Sequence, residues 1–369
     1  MKQNKGKIGI KEYVALISLS VGAKLSDDTP SIIFETSRNA GWISVILIAI
    51  LSLIPIIALL RVFSVHKEKN LHEVIIHLFG KILGNFISII LLIGGTAAVI
   101  IDSGVYVDII DTMYFPMTPT IVIYAILMFV CGYGAKRGIE QIGSASWLLF
   151  PYIKVTLLIA IIFTFMEGNK GYIFPIWGEG LLETAKTSAK YVSIYADFLF
   201  LGLIAPLVTS FKDLKKGTFL SLFIVTLEIT IPLVAFVMLF DYTTAEMLNY
   251  PFHEMIRYIH IGFMANVETF FFPFWLVATF IRFSFYLYLV ATLLGGILKI
   301  KEFEYLIPLL TAIILLIGII PENPSITLYS MRKIILGLLT PAFMTLPLTM
   351  WFLAKIRGDF KNETTKDFN

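Results

Sequence analysis

Seven ionisable residues stand in otherwise apolar stretches of the chain: Lys24, Asp27, Asp28, Asp102, Lys154, Asp197 and Arg282. Lysine, arginine and carboxylate side chains so placed can hold a small charged ligand, carry a proton, or neutralise one another. Each costs about 2.5–3.5 kcal/mol at mid-membrane on insertion scales, so an intramembrane charge reads first as functional. Asp102 and Tyr106 are four residues apart and share a helix face. They either line a pocket or water path, or Asp102 supplies an internal partner for Lys24 or another cation. Arg282 must face protein or water; it can pair with Asp197 or Glu228, or grip a ligand carboxylate bidentately. Glu228 and Glu268 are weaker candidates, with Glu268 interfacial. Enzyme chemistry finds no support, since the chain has no GxSxG, P-loop or HExxH motif. His66, His72 and His77 fall in one connection and His253 and His260 in another, without metal-ligand spacing. No metal and no other cofactor is expected.

The elements that must position these residues are membrane helices. Of 369 residues, 57% are hydrophobic and 15% charged, and the mean hydropathy is +0.85. A soluble domain runs about 45–50% apolar and about 25% charged. Disorder would require the opposite shift. A disulfide scaffold is excluded by the single cysteine, Cys131. A net charge of +3 and 31 phenylalanines argue against a basic nucleic-acid-binding face. Ten stretches reach the roughly 20 apolar residues that cross a bilayer: about 11–34, 42–65, 82–107, 119–134, 146–166, 188–211, 217–240, 269–297, 304–321 and 334–354. Continuous runs such as Ile46–Ile50 and Ile313–Ile317 exclude the alternation of a β-barrel. Residues 1–369 therefore read as one all-α membrane domain with tails at 1–10 and 355–369. The first stretch reads as a retained span rather than a cleaved signal, because Lys24, Asp27 and Asp28 interrupt it and no small-residue cleavage site follows.

Basic residues crowd the two tails, among them Lys2, Lys5, Lys7, Lys11, Lys355, Arg357, Lys361 and Lys366. They also crowd the even-numbered connections (Arg61, Lys67, Lys69, Lys81; Lys136, Arg137; Lys212, Lys215, Lys216; Lys299, Lys301). The opposite side carries fewer: Arg38, Lys170, Lys186, Lys190, Arg257, Arg332 and Lys333. By the positive-inside rule both termini face the cytoplasm. The outer stretch Asp241–Glu268 is rich in aromatics and reads as a surface loop, with interfacial helices or a partner contact as alternatives.

Two spans look broken. In the first, Val21, Gly22, Ala23, Lys24 and Ser26 lead into Asp27, Asp28, Thr29 and Pro30. Gly22 would end one half-helix in left-handed geometry. Ser26, Asp27 or Thr29 would cap the next, and Pro30 suits its first turn. Unwound backbone in a membrane must be buried in protein or line a cavity. The sixth span repeats the theme: Asp197 lies among aromatics including Phe200, and Gly202 and Pro206 loosen the helix. Breaks five spans apart in a ten-span chain are the pattern of a five-plus-five inverted repeat with a binding site between the broken helices.

The stretch from Ile10 to Ile50, with Lys11–Glu12–Tyr13 and Ala40–Gly41–Trp42–Ile43–Ser44, resembles the start of the endospore germination permeases, the B subunits of spore germinant receptors. The resemblance continues through Tyr106–Val107–Asp108–Ile109–Ile110, Ala135–Lys136–Arg137–Gly138–Ile139–Glu140 and Trp147–Leu148–Leu149–Phe150–Pro151–Tyr152, and so covers essentially the whole chain. It implies a LeuT-like fold of the amino acid–polyamine–organocation superfamily. It further implies a pocket near the midplane lined by spans one, three, six, eight and ten, a small germinant such as an amino acid, partner A and C subunits, and a place in the spore inner membrane. Amino-acid transporters of this fold often carry a glycine-rich break in span one; here Gly22–Ala23–Lys24 has one glycine, and Lys24 can supply the positive charge or pair with Asp27 or Asp102. In proton-coupled relatives of the fold a lysine in span five replaces a sodium ion, a role the resemblance extends to Lys154 as a structural cation or a proton carrier; the alternative is a cation that simply pairs with a neighbouring helix. The expected ligand-binding set is Val21, Gly22, Ala23, Lys24, Ser26, Asp102, Tyr106, Asp197, Phe200, Gly202 and Arg282, with Lys154 at a proton or cation site. The alternative function is a proton-coupled amino-acid permease.

Overall fold

The first span forms as two half-helices because its middle cannot stay helical. In the computed structural model, which describes residues 6–259, 267–321 and 323–360, α1 (Ile10–Ser20) gives way to a single 3-10 turn at Gly22–Leu25 and a bend through Asp28. Helix α2 (Thr29–Ser37) then starts with Pro30 in its first turn and the Asp27 carboxylate accepting from the Thr29 amide at 2.8 Å. Gly22 is not in the left-handed conformation expected of it. Its value is space: a Cβ there would lie 2.5 Å from Glu228 Oε2.

The remaining spans follow in order. Helix α3 (Gly41–Val65) leads to a short helix α4 (Leu71–Phe79), which opens on a reciprocal Asn70–Glu73 cap. Then come α5 (Lys81–Ile109), extended by a π turn to Tyr114, α6 (Thr120–Lys136) and α7 (Ile139–Glu167). A short polar helix α8 (Leu181–Lys190) precedes the sixth span. That span is loosened along nearly its whole length, not just at Gly202 and Pro206. The stretches Val192–Tyr195, Leu201–Leu203 and Ala205–Leu207 are 3-10 turns around the one-turn helix α9 (Asp197–Phe200). Helices α10 (Phe211–Met247), α11 (Pro251–Tyr258), α12 (Val267–Leu298), α13 (Ile307–Gly318) and α14 (Pro324–Ile356) complete the chain. Among the described residues six helical stretches are long and apolar enough to cross a membrane, and Thr120–Lys136, Val192–Leu203 and Phe303–Gly318 are shorter apolar ones. No strand occurs among the described residues beyond an isolated bridge between Ile8 and Val208.

Packing explains several departures from the hydropathy pattern. Helix α1 lies between α7, α10 and α12, while α14 packs along α3 and α5. Residues 6–10 are no loose tail: Ile8 is fully buried, donates to Leu207 O at 2.9 Å and accepts from Thr209 N at 3.0 Å. The tenth span begins at Pro324, so Arg332 and Lys333 lie inside a helix rather than in a connection. Arg332 interrupts the apolar pattern yet is buried because carboxylates surround it there. At its other end α14 runs to Ile356 and a turn through Phe360 follows, so 355–360 is folded as well. The outer segment after α10 is likewise no plain surface loop, since α11 buries Phe252, His253, Met255 and Ile256. His260, Lys2, Lys5, Lys361 and Lys366 lie outside the described residues.

Gly202 faces α3 and α4, where a Cβ would stand 2.8 Å from Phe63 Cζ and 3.2 Å from Leu71 Cβ. Replacing it with valine forces ring and helix apart, at about 1–3 kcal/mol for an overpacked site. Gly202→Val is expected to lower the melting temperature of the detergent-solubilised protein and the yield of monodisperse material. An unchanged melting profile would show that the contact can relax.

Candidate functional site

The break in span one sets the site. Asp27 and Asp28 project from it into the space between α5, α12 and α14, where Asp102, Arg282 and Arg332 meet them. Arg282 binds Asp102 at 2.5 Å and lies 3.6 Å from Asp27. Arg332 binds Asp27 at 2.8 Å and also pairs with Asp28 and Asp102. Three largely buried carboxylates thus face two buried guanidinium groups. The Arg282 guanidinium also sits 5.1 Å from the centre of the Tyr106 ring and 5.3 Å from that of Tyr286, within cation–π range.

Lys24 points the other way, to span six. Its ammonium pairs with Asp197 and donates to Ile194 O at 2.6 Å. Tyr286 donates to the second Asp197 oxygen at 2.8 Å. Asp102 does serve as an internal partner, to Arg282 and Arg332, while two other pairings differ from expectation: Lys24 takes Asp197 rather than Asp27 or Asp102, and Arg282 takes Asp102 and Asp27 rather than Asp197 or Glu228. Spacing along the chain cannot rank such partners, because each pair joins residues more than a hundred positions apart.

Between the two charged groups lies a cavity with about 820 Å³ of atom-free space, part of it open to the outside. It is lined by Lys24 and Thr29 from span one, Gly95, Ala98, Val99 and Asp102 from α5, and Asp197 and Phe200 from span six. Phe285, Tyr286 and Leu289 of α12, with Arg332, Leu336 and Leu339 of α14, close the wall. Its lining is mostly apolar, with Lys24 and Asp197 at one place and Asp102 and Arg332 at another. That is the composition of a small-ligand pocket.

A second cavity lies across the unwound backbone. Ser18, Gly22, Ala23 and Ser26 line it with Lys154, Glu228, Phe252 and Trp275. Lys154 forms an ion pair with Glu228 and reaches Ser18 O at 3.5 Å. Glu228 Oε2 and Ser18 Oγ are buried without a hydrogen-bond partner. His253 of α11 caps this side, edge-on to Trp275 at 4.7 Å and hydrogen-bonded to the Tyr114 hydroxyl at 2.9 Å. Burial pushes its imidazole down to about 3, so it is neutral.

Of the expected ligand-binding set, the first cavity takes Lys24, Asp102, Asp197 and Phe200, and the second takes Gly22, Ala23, Ser26 and Lys154. Tyr106 lines neither; it donates to Ala23 O at 2.7 Å and shares a hydrogen bond with Ser26 Oγ at 3.2 Å. Arg282 stands behind Asp102 with its charge already matched, and Val21 and Gly202 are packed in the core. Arg332, Asp28 and Asp108 carry more of the polar interior than sequence suggested. Asp108 accepts from Ser325 Oγ at 2.6 Å and also from the Tyr250 hydroxyl. For Arg332 the available signal was Pro324, a helix-starting residue eight positions upstream.

The helix order, the two interrupted spans and the charged pocket between them define a membrane protein of the LeuT-like transporter fold. Two solved structures share it. One is Mhp1, a nucleobase-cation-symport-1 family transporter closed on bromovinylhydantoin, with a TM-score of 0.60 at 14% identity over 92% of this chain and 78% of that one. The other is a Na⁺-coupled sialic acid symporter in an outward-open state, with a TM-score of 0.62 at 12% identity over 95% and 80% of the two chains. Within that class the chain belongs to the spore permease family of spore germination proteins, whose sequence profile matches residues 11–327. Relatives include spore germination protein XB of Bacillus anthracis, 25% identical over 87% of this chain and 86% of its own length. Spore germination protein KB of Bacillus subtilis (strain 168) is 24% identical over 81% and 80%.

Charge balance makes the ion cluster testable. Arg282→Met leaves three carboxylates facing one guanidinium, and breaking a buried pair from one side costs about 3–5 kcal/mol. Asp102→Asn leaves two carboxylates and two guanidinium groups. Thermal unfolding in detergent should therefore show a large loss for Arg282→Met, a smaller one for Asp102→Asn, and partial recovery in the double variant. Equal losses in the two single variants would refute the balance argument.

Proposed function

We propose that the chain is the B subunit of a spore germinant receptor, which binds a small germinant, an amino acid, in the cavity between spans one and six. The observation that carries this reading is the pairing of an apolar chamber with charged groups of both signs. Lys24 can face a carboxylate, and the surplus carboxylate of the cluster, reached through Asp102, can face an ammonium. Binding biases the equilibrium between two arrangements of the spans only insofar as the ligand prefers one of them. The family membership supports a role in germination, and it motivates assembly with A and C subunits in the spore inner membrane. The crowding of lysine and arginine into tails and even-numbered connections supports cytoplasmic termini.

Ala98 lines the chamber without belonging to the charged network. Spores carrying Ala98→Phe should lose the response to the receptor's amino-acid germinant, by tenfold or more in the concentration required, with normal protein levels. A response at the original concentration would remove the chamber from consideration.

A proton-coupled amino-acid permease is the second reading, favoured by the Lys154–Glu228 pair against the span-one backbone and by the unpartnered Glu228 Oε2. Under it, proteoliposomes take up labelled amino acid when a proton gradient is imposed, and Lys154→Ala abolishes that uptake. Absence of gradient-driven uptake by the native protein, with binding retained, selects the sensor.

A further inference from the structure

Outside both cavities, three potential metal ligands from distant parts of the chain converge at the membrane face where α3 and α14 end. His66 is the residue that closes α3, His77 lies in α4, and Asp359 sits in the turn that follows α14. His66 Nε2 stands 3.0 Å from Asp359 Oδ2, and His77 Nε2 stands 3.7 Å from the same oxygen. One ligand atom of each residue lies within 4.8 Å of the other two. The imidazoles meet edge to face, with centroids 4.9 Å apart, so their nitrogens converge without ring stacking.

The arrangement is held by contacts separate from the three side chains. Gly358 adopts the left-handed conformation at φ 78°, and Asp359 N donates back to Ala354 O at 3.1 Å, which turns the carboxylate toward the histidines. Arg357 donates to His77 O at 2.7 Å. The side chains are 9%, 37% and 19% exposed for His66, His77 and Asp359, shielded but open to an entering ion.

A hydrogen bond between His66 and Asp359 would need one imidazole. A second imidazole nitrogen stands 3.7 Å from the same oxygen, beyond hydrogen-bonding distance, and so brings a third potential ligand to the place. Ligands held at about 2.0–2.2 Å in a tetrahedral array stand about 3.4 Å from one another, a value that the two observed separations straddle. Two imidazoles and a carboxylate are borderline-to-hard donors that suit zinc and its neighbours, with one position left for water. We propose that His66, His77 and Asp359 bind a divalent transition cation of the zinc class and thereby clip the turn after α14 to the end of α3. Because α14 also lines the ligand chamber through Arg332 and Leu336, the clip fixes one end of a chamber wall.

The test uses the full chain, purified in detergent without a histidine tag and stripped with chelator. Zn²⁺ titrated by calorimetry should saturate at one equivalent, and Co²⁺ should give the visible absorption of a tetrahedral site. His77→Ala and Asp359→Asn should each weaken Zn²⁺ binding at least tenfold and remove the rise in melting temperature that Zn²⁺ gives the native chain. His77 is half-exposed, so its variant should keep the metal-free melting temperature; should it fall, Asp359→Asn decides alone. Absence of a saturable equivalent, or affinity unchanged in Asp359→Asn, overturns the site.

Discussion

The break in span one depends on burying three carboxylates and two guanidinium groups in one cluster. Each ion taken from water costs several kcal/mol, recovered only when oppositely charged partners meet it in good geometry. Those partners come from four segments: Asp27 and Asp28 from the break in span one, Asp102 from α5, Arg282 from α12 and Arg332 from α14. None of the four can be placed satisfactorily without the others. Rotating or shifting one helix would strand a buried charge, so the cluster penalises such arrangements. Aromatic neighbours extend it: Tyr106 stacks on Trp275 at 5.3 Å, and Trp275 donates to Ser26 Oγ at 2.9 Å.

The same side chains solve a second problem. Unwound backbone inside a bilayer leaves carbonyls that lipid cannot satisfy. Tyr106 donates to Ala23 O, Tyr286 reaches Ser20 O at 3.3 Å, and Lys24 serves Ile194 O in the loosened sixth span. Spans one and six can therefore be broken side by side because polar groups from α5, α12 and span one itself replace missing helical donors. The Lys24–Asp197 pair is then less an isolated salt bridge than the junction where two broken helices satisfy one another.

Much of this was legible in the sequence, for a definite physical reason. Hydrocarbon imposes a length and a composition on each span, and Lys24, Asp27 and Asp28 in a row violate the composition so strongly that a break was the natural reading. What was not legible is pairing. Asp102, Arg282 and Asp197 each stood out as buried charges, but which meets which depends on helix rotation, and hydropathy does not encode rotation. Arg332 was hidden because a basic residue near a span's edge looks like a topology signal; inside α14 it is neutralised by residues about 230 to 305 positions away. Gly22 was recognised as special for the wrong reason, since its role is to admit the Glu228 carboxylate rather than to turn the chain. His66 and His77 gain meaning only where the end of α14 folds back beside them: their third partner is Asp359 from the far end of the chain, not His72, which lies between them in sequence.

The two cavities have a consequence for how a signal could travel. Lys24 and Thr29 face one cavity while Gly22, Ala23 and Ser26 face the other, so the unwound stretch of span one is a wall shared by both. On one side this wall carries the ion pair with Asp197; on the other, Gly22 meets the Glu228 carboxylate, which is paired with Lys154. A stretch lacking α-helical hydrogen bonds is softer than the helices flanking it. On the proposed reading, a ligand that draws Lys24 away from Asp197 acts on the same few peptide units against which Lys154 and Glu228 rest. Coupling between the chambers needs no long pathway through the protein, only a difference in how each occupant's contacts favour one position of this segment. If occupancy of the first chamber shifts proton binding by the Lys154–Glu228 pair, reciprocity requires that protonation of the pair shift affinity in that chamber by the same factor.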